Sequence, residues 1–324
     1  MIVVTGGAGF IGSAIVAELN ARGVTDILIV DELGKDEKWK NLRKLRYADY
    51  MEKDVFLDAV QGDILRVEVE AVIHMGACSS TTETDASFLV RNNFEYTQAL
   101  AQWAADEDIR FIYASSAATY GDGSRGFSDN ERELDRLVPL NMYGYSKHMF
   151  DLWARNHGLL DRIVGLKFFN VYGPNEYHKA DMRSFVNKAF HQIRQNGRVG
   201  LFKSYRPEYH DGGQKRDFIY IKDAVAITLF FLDNGDIGGL YNVGTGEART
   251  WNDLAAAVFA AMGREKAIDY IDMPDALRDK YQYFTQADMG KTHVAGCRVP
   301  LTRMETAVRE YVTEYLLKDD YLGA

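Results

Sequence analysis

Residues 2–12 read Ile2-Val3-Val4-Thr5-Gly6-Gly7-Ala8-Gly9-Phe10-Ile11-Gly12, a short β-branched run that breaks into glycines and then turns amphipathic. The spacing satisfies GxGxxG through Gly7, Gly9 and Gly12 and GxxGxxG through Gly6, Gly9 and Gly12. Glycines allow a tight turn and a close backbone approach, while the helix that follows offers unpaired amides and a positive dipole end to a pyrophosphate. Asp31 closes the next apolar run, Ile27 to Asp31, where a dinucleotide fold places the carboxylate that binds adenosine ribose hydroxyls. On its own that carboxylate argues for NAD. Nearby Lys35, Lys38, Lys40, Arg43 and Lys53 read either as partners of a ribose 2′-phosphate or as a solvated basic face, and the residues leave the choice open.

Outward from this loop, short β-rich runs alternate with longer amphipathic stretches. Ala71 to Met75 precedes a helical pattern over 87–105, Phe111 to Ser116 precedes another over 141–156, and Ile163 to Phe169 reads as a further buried strand. Such alternation predicts parallel βαβ units and an α/β fold, a doubly wound Rossmann sheet with a smaller C-terminal α/β substrate lobe. The expected division is 1–174 for dinucleotide binding, completed by return segments from the C-terminal half, and 175–324 mainly for substrate. Within the second part the patterns predict helices over 183–195, 251–262 and 307–317 and strands over 199–203, 218–221 and 240–243. Asp223 is expected to cap a helix running to Leu232.

Composition narrows the function classes. With 324 residues, 47% apolar and 26% charged, the chain can close over a sizeable core without disulfides or metals. Its formal net charge of −9 argues against a nucleic-acid or anionic-membrane partner but leaves room for a small anion bound by a local cluster of cations. The apolar run from Ala224 to Leu232 is too short to span a bilayer, and Met1 runs straight into the first strand, so a cytoplasmic protein is expected. Cys78 and Cys297 form no CxxC pair, which suggests neither a disulfide framework nor a metal site.

Two further signals carry chemistry. Tyr143 and Lys147 stand four apart in a predicted helix and therefore share a face, where an ammonium would draw the phenol down from its ordinary value near 10 and make it a usable base. Ser116 ends a strand at the carboxyl edge of the sheet, where ligands of open α/β folds bind, and its hydroxyl could position a substrate alcohol.

The glycine loop, Ser116 and the Tyr143/Lys147 pair together resemble the extended short-chain dehydrogenase/reductases, the superfamily of NAD-dependent epimerases and dehydratases. Dehydratases there carry an Asp-Glu pair directly after the hydroxyl residue, whereas Ala117 and Ala118 stand in those places. The strings Gly76-Ala77-Cys78-Ser79-Ser80-Thr81-Thr82-Glu83 and Phe284-Thr285-Gln286-Ala287-Asp288, with Phe169 to Pro174 and Lys215 to Phe218, are similar to those of its ADP-heptose 6-epimerases over nearly the whole chain. This resemblance implies inversion at C6″ of an ADP-heptose by transient oxidation to a ketone and return of the hydride to the other face. Tyr143 would serve one epimer and Lys179 the other, with Lys147 and Ser116 assisting.

The resemblance favours NADP over NAD, with cofactor contacts from Phe10, Ile11, Asp31, Glu32, Lys38, Lys53, Met75, Gly76, Ala77, Cys78, Ser79, Asn92, Lys147, Val171 and Lys179 added to the glycines. Substrate contacts would come from Ser116, Asn170, Asp181, Lys188, Phe202, Lys203, Ser204, Tyr205, Arg216 and Tyr281. Arg216 is suited to a diphosphate by its planar donor fork, or could instead pair with Asp217 or Asp211. Met75, Asp181 and Lys188 depart from the family pattern, and the 206–214 loop is longer than in familiar members. A homo-oligomer, by family analogy a homopentamer, is expected. Two readings compete: another nucleotide-sugar 4-epimerase or reductase, and a non-catalytic NADP-binding sensor.

Overall fold

A computed structural model describes residues 1–278 and 281–323. In chain order the first half forms β1 (Ile2–Thr5), α1 (Phe10–Ala21), β2 (Ile27–Asp31), β3 (Asp49–Glu52), α2 (Lys53–Gln61), β4 (Ala71–His74), α3 (Ala86–Leu89), α4 (Tyr96–Asp106), β5 (Arg110–Ser116) and α5 (Met142–Asn156). Then follow β6 (Val164–Phe168), β7 (Asn170–Tyr172), α6 (Phe185–Asn196), β8 (Val199–Phe202), β9 (Lys215–Tyr220), α7 (Ile221–Asp233), β10 (Gly239–Val243), β11 (Ala248–Thr250), α8 (Trp251–Ala261) and β12 (Ile268–Ile271).

Seven strands make one parallel sheet in the order β10-β6-β5-β4-β1-β2-β3. The order reverses between β1 and β4, and the crevice beyond the carboxyl ends of these strands is the place where open α/β sheets bind ligands. Strands covered on both faces read as unbroken apolar runs, as IVVT, ILIVD and AVIH do here. Val3, Leu28, Val30 and Val72 pack toward Phe56, Tyr96 and Leu100 of α2 and α4. The alternate residues Val4, Ile27, Ile29 and Ile73 pack toward Ile15, Leu19, Val225 and Leu229 of α1 and α7. Two smaller sheets, β11-β9-β7 and β12-β8, complete the fold, and residues of β7, β8, β9 and β12 line one cleft with the loop after β1 and the end of β5.

Local structure differs from the sequence expectation in three places, the first being the expected 307–317 helix, which starts at Met304 and widens to π geometry over Tyr311–Leu316. The helix over 87–105 is not uniform: residues Val90–Glu95 widen to π geometry between α3 and α4. Inside it Asn93 donates to the Cys78 carbonyl at 2.9 Å and accepts from the Cys78 amide at 2.9 Å, so the wider turn holds the loop after β4 in place. Asp223 does not cap its helix. Tyr220 occupies the cap position, and the Asp223 carboxylate, one turn inside, accepts from the Thr302 amide and hydroxyl, each at 2.8 Å, tying α7 to a later segment.

Candidate active site

The glycine loop is built as its sequence requires. Gly6 adopts φ +64°, and a Cβ there would lie 2.7 Å from the Gly76 amide nitrogen; one on Gly12 would run into the Gly6 carbonyl. The Gly6 and Gly9 amides bond to the Val30 and Gly6 carbonyls, at 2.7 and 2.9 Å. The amides of Phe10, Ile11 and Gly12 open α1 without intrahelical partners, and these residues line a cleft of about 790 Å³. The backbone cradle that side chains would fill and the free helix amides both fit the pyrophosphate of a dinucleotide.

At the adenosine end Asp31 is fully engaged. Its Oδ2 accepts from the Ala8 amide at 2.9 Å, and its Oδ1 from the Glu32 amide at 2.7 Å and Lys38 Nζ at 2.9 Å. Lys53 pairs with Glu32 at 3.0 Å and donates to Asn92 Oδ1 at 2.8 Å. A recess lined by Asp31, Glu32, Lys38, Lys53, Ala77, Cys78 and Asn92 results. The other cations turn elsewhere: Lys40 pairs with Glu37, and the Arg43 guanidinium lies over Trp39 and Tyr321.

Farther along the cleft lie Ser116 from the end of β5 and Tyr143 and Lys147 from one face of α5. Asn141 starts that helix by accepting from the Gly144 amide at 2.8 Å, which fixes the turn carrying Tyr143. Ser116 Oγ accepts from the Ala118 amide at 3.1 Å. The expectation that Lys147 lowers the Tyr143 phenol is not met. Burial pushes the phenol above its ordinary value, and hydrogen bonding with Ser116 only opposes this. The same burial lowers the Lys147 ammonium to about 8, with the Asp151 carboxylate opposing. Burial penalises both charged forms, and neither group's charge offsets that for the other.

Lys179 lines the same cleft from the loop after β7, and burial lowers its ammonium while Glu176 opposes. That loop is held at both ends. Asn175 Nδ2 donates to Ser13 of α1 at 2.9 Å, and its Oδ1 accepts from the Leu322 amide at 2.9 Å. Tyr177 donates to the Asp320 carbonyl at 2.9 Å and meets Tyr321 edge-on at 4.9 Å between ring centres. The buried Glu176 accepts from Ser184 and from the Tyr311 hydroxyl. Directly after Lys179, Ala180 is forced to φ +44°, a conformation that costs a non-glycine residue energy and marks a constrained loop.

The residues singled out from sequence divide at the substrate end. Asn170, Lys188, Phe202 and Tyr281 line the cleft, as do Met75, Gly76, Ala77, Ser79 and Val171 nearer the middle. Asp181 is exposed outside it. Lys203 pairs with Asp272 at 3.1 Å, Ser204 accepts from Arg206 and donates its amide to Asp211 at 2.7 Å, and Tyr205 donates to Asp272 at 3.0 Å, so these three face another surface. Arg216 sits behind the wall. Its guanidinium lies over Tyr281 at 5.1 Å and Trp251 at 5.8 Å and donates to the Lys215 and Gln282 carbonyls. It pairs with neither proposed carboxylate: Asp217 accepts from Thr245, Gly246 and Ala287, and Asp211 from Ser204.

Sequence reading missed Trp251, Gln192 and Glu176, which also line the cleft. Trp251 had a legible signal. Thr250 and Asp253 form a reciprocal capping box, which places Trp251 in the first turn of α8, and its buried indole nitrogen has no partner among the described residues.

Comparison with known proteins agrees with this geometry. The model of the NAD dependent epimerase/dehydratase family matches residues 2–244. The chain is 58% identical over 320 residues, 99% of each chain, to the ADP-L-glycero-D-manno-heptose-6-epimerase of Nitratidesulfovibrio vulgaris. It is 48% identical over 329 residues to the protein of that name from Fusobacterium nucleatum, again over 99% of each. Among solved structures it resembles the ADP-L-glycero-D-manno-heptose-6-epimerase of Helicobacter pylori at TM-score 0.83 and 26% identity, covering 97% of this chain and 95% of that one. The UDP-glucose 4-epimerase of Thermus thermophilus in complex with NAD follows at TM-score 0.73 and 25% identity, covering 96% and 97%. By its fold, its glycine loop and its full-length relatives, the chain belongs to the NAD dependent epimerase/dehydratase family.

Proposed function

We propose that this protein inverts C6″ of ADP-D-glycero-β-D-manno-heptose, giving the L-glycero epimer through a transient 6″-ketone. The observation that carries the reading is the joining of three things in one cleft: the dinucleotide cradle, the Ser116/Tyr143/Lys147 group, and Lys179 on a separately anchored loop. Full-length identities of 58% and 48% to heptose epimerases favour the heptose substrate over other nucleotide sugars. Ala117 and Ala118 leave no acid where a dehydratase holds its Asp-Glu pair.

A bound oxidised nicotinamide dinucleotide would accept a hydride from C6″ and give it back. Tyr143 takes the hydroxyl proton of one epimer, with Ser116 aligning that oxygen. Lys147 contributes positive charge beside the phenolate and would hold the nicotinamide ribose of the bound dinucleotide. Once the ketone presents its other face, its oxygen lies away from Tyr143, and Lys179 exchanges the proton there. Burial lowers Lys179, which lets its amine accept a proton nearer neutral pH.

We favour NADP as the dinucleotide, because Lys38 and Lys53 border the recess that would receive a ribose 2′-phosphate. Division of labour between 1–174 and 175–324, and assembly as a homo-oligomer, belong to the same reading; light scattering tests the assembly. The decisive experiment incubates the protein with cofactor and ADP-D-glycero-β-D-manno-heptose and separates the epimers. Conversion to an equilibrium mixture is expected. Failure to convert, alongside turnover of a UDP- or GDP-sugar in a parallel panel, would overturn the substrate assignment.

A further inference from the structure

Outside the cleft, the most charged piece of the interior is the pair formed by Asp151 of α5 and Lys167 of β6. Both are wholly buried, with Nζ 2.6 Å from Oδ2. Every bond they make ends close to the reactive groups. Asp151 Oδ2 also accepts from Ser115 Oγ at 2.8 Å, next to Ser116, and Oδ1 accepts from Tyr113 at 2.9 Å. Lys167 donates to Thr119 Oγ1 at 2.8 Å, and the Thr119 hydroxyl passes on to the Ser116 carbonyl at 2.8 Å. On α5, Tyr143, Lys147 and Asp151 recur every fourth residue and so form one stripe.

We propose that Asp151 and Lys167 are positioning residues for the hydride-transfer site, tying the face of α5 that carries Tyr143 and Lys147 to the strand end that carries Ser116. The proposal rests on the reading of Ser116, Tyr143 and Lys147 given above. Well-packed apolar residues would fill this space with no desolvation cost, so bulk stability is a poor reason to bury two charges. What the pair supplies is registry. A helix and a strand that could slide against apolar neighbours are fixed by directional bonds to Ser115, Tyr113 and Thr119. The pair also supplies charge: the Asp151 carboxylate lies one turn from Lys147 and favours its ammonium form. The ionisable groups around Lys147 are Tyr143 and Asp151 on its own helix, Cys78 after β4 and His74 at the end of β4. Those around Asp151 are Lys167 on β6, Tyr113 on β5, Tyr120 on the turn after β5, and Lys147 and His148 on α5.

The test uses the full chain with its cofactor. In Asp151→Asn/Lys167→Met both charges go at once, so no buried charge is left unpaired. The expected result is a melting temperature near that of the parent and an unchanged KM, with kcat down by about 10–100-fold, the loss that follows from small misplacement of reacting groups. Lys167→Arg, which keeps the charge, should recover most of the rate. Thr119→Val, which cuts the link to the Ser116 carbonyl and removes no charge, gives a milder loss of kcat at constant KM and serves should the double variant not fold. Parent kcat in the double variant, or in Thr119→Val if only that variant folds, would overturn the proposal. So would a loss in Lys167→Arg equal to that of the double variant.

A substrate-free measurement separates this proposal from the heptose assignment. Competitive labelling of Lys147 with acetic anhydride, read by mass spectrometry across pH, should show its half-ionisation point lowered in the double variant, because Asp151, the carboxylate that favours the ammonium, is gone. An unmoved Lys147 counts against the pair whatever sugar the enzyme takes. A moved Lys147 in a protein that leaves ADP-heptose unchanged supports the pair and refutes only the substrate.

Discussion

Replacing Lys53 by methionine removes an ammonium from the adenosine recess while keeping most of its stem. That ammonium pairs with the exposed Glu32 at 3.0 Å and bonds to Asn92 at 2.8 Å. An exposed ion pair contributes about 0–1 kcal/mol, whereas a charge-assisted bond to a phosphate contributes roughly 1.5–3 kcal/mol. Exchanging Glu32 for a ribose 2′-phosphate therefore gains about 1–2 kcal/mol, and Lys53→Met should weaken NADP⁺ about 5–30-fold. NAD⁺ offers a hydroxyl in the same place, and Glu32, released from its cation, can accept from it. Its affinity should stay within about twofold or improve, because no anion is left without a partner. Isothermal titration of the cofactor-stripped protein with each dinucleotide measures both constants, and raising the salt concentration should erode the NADP⁺ preference by screening. Equal losses for the two dinucleotides would refute the reasoning and make Lys53 a prop for Asn92.

Tyr143→Phe should cut epimerisation by about 100-fold or more while leaving dinucleotide affinity within about twofold, since only proton transfer is lost; turnover assays and titration check the two halves. Lys179→Ala should abolish epimerisation yet permit oxidation of one epimer, visible as absorbance of the reduced nicotinamide near 340 nm. His74 gives a pH-linked stability prediction. Burial between Thr5 and Thr97 lowers its pKa from 6.5 to about 3, so the unfolded chain binds the proton more readily and stability falls as pH drops below 6.5. Between pH 7 and 5 this amounts to about 2 kcal/mol, and urea midpoints of His74→Gln should show a correspondingly weaker decline.

The doubly wound fold was legible because its signals are local. A glycine loop, the carboxylate at the end of β2 and the four-residue interval between Tyr143 and Lys147 each fix a geometry within one turn or one strand. Residues whose role depends on a distant partner were harder to place. Arg216 carries a fork suited to a diphosphate, yet it is held by the Gln282 carbonyl from 66 residues away and stacks behind Tyr281. Lys203 and Tyr205 converge on Asp272, a pairing across the separate β8-β12 sheet that no periodicity announces. The buried Lys167 stood inside an apolar strand without any mark of its function, because its partners lie on α5 and on the turn after β5. The phenol's ionisation was misjudged for a related reason: spacing reveals a neighbouring charge but not how little water surrounds it.

The C-terminal residues Asp320, Tyr321 and Leu322 grip the loop bearing Lys179, while Lys44 holds Asp320 at 2.7 Å from the other side. A proteolytic nick between these residues would therefore loosen the segment that carries Lys179, far along the chain from the cut.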